Sequence, residues 1–380
     1  IGDISMYARV RRLQAAVRIL IVITGLGVAG AERLVTNLSD RFVAAGHQVK
    51  LVWLAGEAEI RPADSRVKLV PLFMSKRPVR LCSSLMALRR VIREFEPDVV
   101  NTHLVHANIL GRLLRLFVPV SRLVSSAHNT NEGGRLRMLA YRWTDWLADL
   151  STNVSEEAVR AFEAQGAVRP GRMRAVYNGI DTAFFAYDDA SRTRLRDELG
   201  VRDDQPVLLA VGRLWEQKDY PNLLRAFARL ANGADGPRLV IVGDGPLRAE
   251  LAALAESLGV ASGVSFLGVR DDVPALMSAC DVFVLSSAWE GFGLVVAEAM
   301  ACERVVVATD SGGVREVVGD TGWLVPPRDA EALAGALADA LALSPAERAR
   351  YGELARARVV SRYSIDATAS RYLALFEANA

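Results

Sequence analysis

Residues 282–313 read VFVLSSAWEGFGLVVAEAMACERVVVATDSGG. An apolar run, Val282 to Ser286, meets a glycine-bearing loop, a helical stretch starts near Gly293, and a β-branched run follows at Val305 to Thr309. Strand, helix and strand in so short a span form a parallel crossover unit, since antiparallel neighbours need only a tight turn. The loop Gly291-Phe292-Gly293 aims the amides of Gly293, Leu294 and Val295 beyond the first strand, which by geometry is an anion site. Glu290, on that loop, can accept bonds from sugar hydroxyls. Glu298, eight residues on and inside the helix, can reach the ribose hydroxyls of a nucleotide.

The same alternation extends along the chain. Strands are predicted at Val17 to Thr24, Gln48 to Ala55, Val67 to Phe73, Asp98 to His103, Leu123 to His128, Ser151 to Val154 and Arg174 to Tyr177. They resume at Val207 to Val211, Leu239 to Val242, Val264 to Leu267, Val282 to Ser286 and Val305 to Thr309, with amphipathic helices such as Leu247 to Leu258 between them. This is an α/β pattern of parallel sheets wound on both faces. At 380 residues, about half of them hydrophobic, the chain can bury two cores. The expected parts are a basic N-terminal extension (1–16), two Rossmann-like domains (17–185 and 186–363) and a final helix (364–380) that packs back toward the first domain. The joint lies in NGIDTAFFAYDDASRTRLRDELGV (178–201), and the carboxyl ends of both sheets are expected to face one cleft.

A second constellation, VGRLWEQKDY (211–220), sets Arg213 and Lys218 in one loop beyond a strand. Two fixed cations there can neutralise a diphosphate and stabilise it as a leaving group, work otherwise done by a divalent ion. No two aspartates are spaced D-x-D, so no metal is expected. Gly25, Gly27 and Gly30 form G-x-G-x-x-G after an apolar run. A dinucleotide site needs an acid roughly 20 residues on to hold the ribose, but the following strand is non-acidic and the first acid is Glu57. A loop for sugar phosphates or plain packing fits the same glycines. Of the four histidines, His47 precedes a strand, while His103 and His128 end strands, where side chains meet the cleft.

The charge is uneven. Residues 1–185 carry 26 Lys+Arg against 16 Asp+Glu, a net of +10, and the remainder carries 20 against 28, a net of −8. Arginines alternate with Leu, Met and Tyr in SKRPVR, ALRRVIR, GRLLR and GGRLRMLAYR, a pattern suited to solvated helix faces or to acidic lipid headgroups. No motif reads nucleic acid. No stretch approaches the roughly 18 apolar residues of a membrane span. The opening lacks the apolar core of a secretory signal, and Met6 is a candidate start. Cys82, Cys280 and Cys302 lack metal-ligand spacing and read as reduced thiols of a cytosolic protein.

These pieces resemble the retaining, nucleotide-sugar-dependent glycosyltransferases of family 4 (group 1), which have the two-domain GT-B fold. The matching segments are AGAERL, THLVHANILGR, HNT, NGID, VGRLWEQKD, VGDGPLRAEL, FLGVRDDVP, EGFGLVVAEAMA and GWLVPPRD, in the family's order across nearly the whole chain. Ala29 departs from a common Gly-Gly-Ala-Glu. The resemblance implies that Arg213 and Lys218 hold the donor diphosphate, Glu290 the sugar and Glu298 the ribose. It places His128 near the sugar's primary hydroxyl. Gly243, Gly245, Leu247, Val269 and Arg270 would line the base pocket, with Phe292, Gly293 and Leu294 on the donor loop. Gly25, Gly27 and Gly30 would face the diphosphate and the acceptor, with His103 and Asn178 on the acceptor side. The donor implied is a UDP-sugar, with no further cofactor and no metal. The acceptor implied is a lipid-linked glycan of bacterial surface polysaccharide such as lipopolysaccharide or capsule, met by a cytoplasmic enzyme peripheral to an anionic inner membrane face. An epimerase or hydrolase of the same fold, or a noncatalytic binder, stays open; against the binder stands the like-charge repulsion of an empty Arg213–Lys218 clamp.

Overall fold

A computed structural model of the chain describes residues 16–74, 78–130, 132–202, 204–230 and 236–377. The basic opening segment, the Met6 start and the side chains of SKRPVR, like that of Cys82, lie outside the described residues. The chain forms two compact units, one running to Val176 and resuming at Thr368, the other covering Tyr177–Ala367.

The first unit holds β1 (Arg18–Ile23), β2 (Gln48–Trp53), β3 (Lys68–Pro71), β4 (Val99–His103), β5 (Leu123–Ser126), β6 (Leu150–Asn153) and β7 (Met173–Ala175). All pair in parallel in the order β3-β2-β1-β4-β5-β6-β7. The second holds β8 (Val207–Val211), β9 (Arg238–Val242), β10 (Val264–Gly268), β11 (Val282–Leu285), β12 (Val305–Thr309) and β13 (Trp323–Val325), again parallel, in the order β10-β9-β8-β11-β12-β13. Central strands such as RILIVI in β1 and VVVAT in β12 are buried along almost their whole length, because helices cover both faces. The expected α/β class with two doubly wound sheets is the one observed. β13, only three residues long, is too short for periodicity to reveal. β5 stops at Ser126, short of the expected His128, which leaves His128 in the loop beyond it.

In each unit the chain winds from a central strand to one edge and returns to the central strand's other side. The loops after β1 and β4, and after β8 and β11, therefore diverge and leave a crevice at the strands' carboxyl ends. Away from these crevices, four helices are capped by side chains: Ser155, Asp188 and Asp329 each accept an amide of the following turn, and Ser344 with Glu347 forms a capping box. At the crevices the helices Gly30–Ala44, Val105–Leu114 and Leu294–Ala301 start at Ala29, Leu104 and Gly293 with no side-chain cap.

The helix Ile365–Glu377 ends in the first unit, where Phe376 meets Phe42 edge-on at 5.7 Å and the Tyr372 ring lies 6.2 Å from that of His103. Cys280 and Cys302 are free and buried, and burial pushes both thiols up to about 12. Among the described residues no helix is long and apolar enough to cross a membrane.

At the amino end of the second sheet, Asp281 accepts bonds from Arg192 (2.7 Å), Arg196 (3.2 Å) and the Val207 amide (2.8 Å), tying the helix Asp189–Glu198 to β8 and β11. Burial alone would raise its pKa, but the two guanidiniums outweigh that and hold it below the usual aspartate value. Asp281→Ala leaves the buried Arg196 without its carboxylate and should destabilise the second unit by about 3 kcal/mol. Denaturant unfolding checks this, and an unchanged midpoint would show that the backbone carbonyls around Arg192 and Arg196 suffice.

Candidate active site

The crevice of the second unit is built by three consecutive strand ends. The loop after β8 lies against the loop after β11: the Ala288 amide donates to the Gln217 carbonyl (2.8 Å), the Ser286 hydroxyl to the Lys218 carbonyl (2.7 Å), and the Gln217 side-chain amide to the Trp289 carbonyl (3.0 Å). Across this zipper, Lys218 Nζ meets Glu290 Oε1 at 2.6 Å, with the side chains only 17% and 9% exposed. Ser287 Oγ donates to the same oxygen at 2.7 Å, and Gln217 reaches Oε2 at 3.4 Å. Sequence spacing places Lys218 beside Arg213 as a bare cation pair. The structure corrects this, because Lys218 is already neutralised by Glu290, so an empty clamp carries no like-charge penalty. Arg213 is exposed, with its guanidinium 5.0 Å from the Trp215 ring centroid.

The third strand end holds this pair in place. The Thr309 hydroxyl donates to the Ser287 carbonyl at 2.6 Å. At Gly312 (φ +57°) a Cβ would stand 1.9 Å from the Glu290 carbonyl oxygen. Beyond Glu290, the helix Leu294–Ala301 opens from Gly293, which has a left-handed backbone (φ 85°), and the amides of Leu294 and Val295 have no helical acceptor. Glu298 sits on this helix, 9% exposed.

Several expected contacts take other roles. Phe292 is 2% exposed and packs edge-on to Tyr363 at 5.4 Å, so its ring anchors the loop and does not meet a ligand. Gly243 and Gly245, expected beside a base, lie against the Arg213 loop: a Cβ on either would strike the carbonyl oxygen of Gly212 (2.1 Å) or Leu214 (2.4 Å). Their absent side chains let the Leu214 amide reach Asp244 and the Leu247 amide reach Leu214. Arg270 is paired with Asp272 (2.7 Å) and Glu198 (3.3 Å), while Val269 is exposed. Asn178 is buried with its Oδ1 unpartnered.

In the first unit, Gly25 and Gly27 do not take positive φ, and a Cβ on either would meet nothing closer than 3.4 Å. Their lack of side chains is therefore not demanded by a sharp turn; it leaves room at the mouth of the uncapped helix Gly30–Ala44. His103 is fully buried and cannot touch an acceptor; its Nδ1 lies 3.0 Å from Nε2 of His128. Glu132, which motif reading missed, accepts the His128 backbone amide at 2.8 Å and the Tyr141 hydroxyl at 2.9 Å, fixing the loop that carries His128. Burial pushes the carboxyl of Glu132 up and His128 down to about 4, so His128 is neutral near pH 7.

The basic surface also differs from the simplest reading. Arg90 and Arg93 are exposed, but Arg89 is half-buried with an unpartnered Nε. The GGRLRMLAYR helix turns apolar side chains outward, with Leu136 83% and Trp143 71% exposed, and Trp146 follows at 65%. Leu116 and Phe117, also exposed, are tied beside it, since Arg115 donates to the Leu147 carbonyl and pairs with Asp149.

Family models match both units: Glycosyltransferase Family 4 over residues 28–184 and Glycosyl transferases group 1 over residues 191–358. The chain is 31% identical over 261 residues to putative glycosyltransferase EpsD of Bacillus subtilis, covering 65% of this chain and 68% of that one. It is 27% identical over 318 residues to an N-acetylgalactosamine-N,N'-diacetylbacillosaminyl-diphospho-undecaprenol 4-alpha-N-acetylgalactosaminyltransferase of Campylobacter jejuni, covering 79% of this chain and 83% of that one. HepE of Anabaena, crystallised in complex with UDP, shares the fold at a TM-score of 0.83 and 22% identity, over 95% of this chain and 100% of that one.

The contact at Gly312 is steric, not only torsional, and this separates two substitutions. Asn tolerates a left-handed backbone, yet Gly312→Asn should fail as Gly312→Ala does, each costing about 2 kcal/mol or more. Gly259→Asn, at φ +72° with nothing within 4 Å of a Cβ, should be nearly neutral. Melting curves of the three variants provide the check; a stable Gly312→Asn would refute the clash.

Proposed function

The chain belongs to the family 4, group 1 glycosyltransferases, and we propose that it transfers a sugar from a uridine diphosphate donor to a hydroxyl with retention at the anomeric carbon. The observation that carries this reading is the Lys218–Glu290 pair at the β8/β11 switch point, between Arg213 and an uncapped helix end. A diphosphate entering beside Arg213 brings negative charge that Lys218 can meet, while Ser287 and Gln217 keep Glu290 hydrogen-bonded. The lone pairs thus released on Glu290 face the sugar hydroxyls, and Glu298 takes the ribose.

With Lys218 turned to the diphosphate, Glu290 still accepts Ser287 Oγ on Oε1 and Gln217 on Oε2, which makes it a poor covalent nucleophile. The acceptor oxygen attacks the anomeric carbon on the face the diphosphate leaves. The carbon–oxygen bond to the diphosphate breaks, the new glycosidic bond forms, and the acceptor's proton passes to the departing phosphate oxygen. Arg213, Lys218 and the amides of Gly293, Leu294 and Val295 stabilise that leaving group, so no divalent metal and no cofactor beyond the nucleotide sugar is needed. The family resemblance assigns the sugar's primary hydroxyl to His128.

The acceptor is a lipid-linked glycan of a cell-surface polysaccharide, reached by an enzyme that rests on an anionic cytoplasmic membrane face. Exposed Leu136, Trp143, Trp146, Leu116 and Phe117, set among Arg135, Arg137 and Arg142 in a half carrying +10, have the composition of an interfacial anchor. The Campylobacter relative is named for a diphospho-undecaprenol acceptor, which supports the same reading.

Lys218→Ala and Arg213→Ala should each lower turnover by about 10²-fold or more with circular dichroism unchanged; near-normal rates in both would remove the clamp. Activity should survive EDTA, and its loss with recovery on added Mn²⁺ would overturn the metal-free step. Trp143→Ser combined with Trp146→Ser should reduce sedimentation with anionic vesicles about tenfold while leaving UDP binding unchanged. About 0.5 M salt should weaken the wild-type protein's adsorption by screening its arginines. Equal binding to neutral vesicles, or none to anionic ones, would refute the membrane reading and leave the transfer reaction standing.

A further inference from the structure

The proton positions on His103 and His128 follow from donor and acceptor counting that starts at a side chain outside the expected site. Asn101, on β4, donates both amide hydrogens, one to the Val124 carbonyl and one to Ser126 Oγ, each at 3.1 Å. A carbonyl only accepts, so the Asn101 atom facing Val124 is the nitrogen, and its Oδ1 is the group left facing His103 Nε2 at 2.8 Å. His103 Nε2 must therefore carry the hydrogen. A neutral imidazole has one N–H, so His103 Nδ1 is a lone pair, and the His128 Nε2 that lies 3.0 Å from it must be the donor. His128 is then left with an unprotonated Nδ1, and that atom is buried with no partner among the described residues.

We infer that Asn101 and His103 are positioning residues that lock His128 as its Nε2–H tautomer, so that the Nδ1 lone pair accepts a hydroxyl hydrogen from the bound sugar. The role given to the sugar rests on the proposed transferase reading; the tautomer lock does not. Burial, with the neighbouring ring adding to it, keeps His103 well below the usual histidine value, and among the described residues no carboxylate bonds either ring, so both stay neutral and the lock holds near pH 7. Glu132, the nearest acid along the chain, accepts the His128 backbone amide and the Tyr141 hydroxyl, not the ring. Tyr372 packs its ring against His103 and sends its hydroxyl toward Ser126 Oγ at 3.4 Å. The orphaned Nδ1 is a buried acceptor that ordinarily finds a donor, and a sugar hydroxyl supplies one.

Nitrogen-15 NMR of the imidazoles reads the lock in the ligand-free full chain. Wild-type His128 should show a protonated Nε2 and a bare Nδ1. His103→Leu removes the acceptor and should give a mixture of tautomers, whereas His103→Asn, whose Oδ1 can stand in for Nδ1, should restore the wild-type signature. Binding supplies the second readout, with UDP and UDP-glucose as probes. His103→Leu should weaken UDP-glucose about tenfold more than UDP, and His103→Asn should recover most of that difference; a merely structural role would weaken both equally. A protonated Nδ1 on wild-type His128, or a His103→Leu spectrum identical to wild type, overturns the lock. An unchanged gap between the two probes in His103→Leu overturns the acceptor role. If the wild-type protein binds neither probe, the donor reading fails and the sugar role with it, while the spectra still decide the lock.

Discussion

A lysine and a glutamate from two loops with no close sequence relation meet at 2.6 Å because their strands, β8 and β11, are neighbours that the chain reaches by different routes. Everything else in the second unit's crevice is arranged around that contact. Desolvating such a pair is costly unless other hydrogen bonds complete it; here Ser287 and Gln217 bond the Glu290 carboxylate, while Ser286 and Thr309 hold the carbonyls of Lys218 and Ser287. The close approach of Gly312 behind Glu290 and of Gly243 and Gly245 behind Arg213 holds the same loops from the other side. The pair thus stores a cation and an anion in neutralised form, each available to a ligand that offers a better partner. Rigid support with exchangeable partners is what electrostatic stabilisation of a leaving group requires.

The first unit solves a parallel problem with uncharged groups. Asn101, His103, Asn108, Tyr141, Ser126 and Thr152 form a buried hydrogen-bonded network, and His128, at its edge, keeps an unpartnered Nδ1 among the described residues. The same contrast runs through the helices. Four helices remote from the crevices are closed by Ser or Asp caps, and the three at the crevices begin at Ala, Leu or Gly. At the crevices such open polar groups stand where a ligand can satisfy them.

Fold class was legible because apolar runs alternate with helical stretches over the whole length, and both sheets came out parallel with the same winding. That Lys218 and Glu290 lie on loops beyond strand ends was legible from the apolar runs before them; that the two side chains pair was not, because spacing sets Lys218 beside Arg213. Burial was not legible from motif position. Phe292 lies inside the most informative motif, yet its ring is core; His103 ends a strand, yet the strand's inner neighbours enclose it. Spacing cannot tell a glycine needed for a ligand from one needed for a neighbouring loop, so Gly243 and Gly245 looked like a base pocket. Glu132 carries no motif at all, and only the return of its carboxylate to the His128 amide shows its part.

The last turns of the chain belong to the first unit. Phe376 packs on Phe42, more than three hundred residues earlier, and Tyr372 lies against His103. During synthesis the first sheet can pair long before these rings emerge from the ribosome, but its core stays uncovered at Phe42 until the second unit has been made. Vectorial folding therefore cannot complete the units in the order they are translated. The first must wait, partly open, for a closing segment that arrives after its partner, and the chance of misassembly is concentrated in that interval.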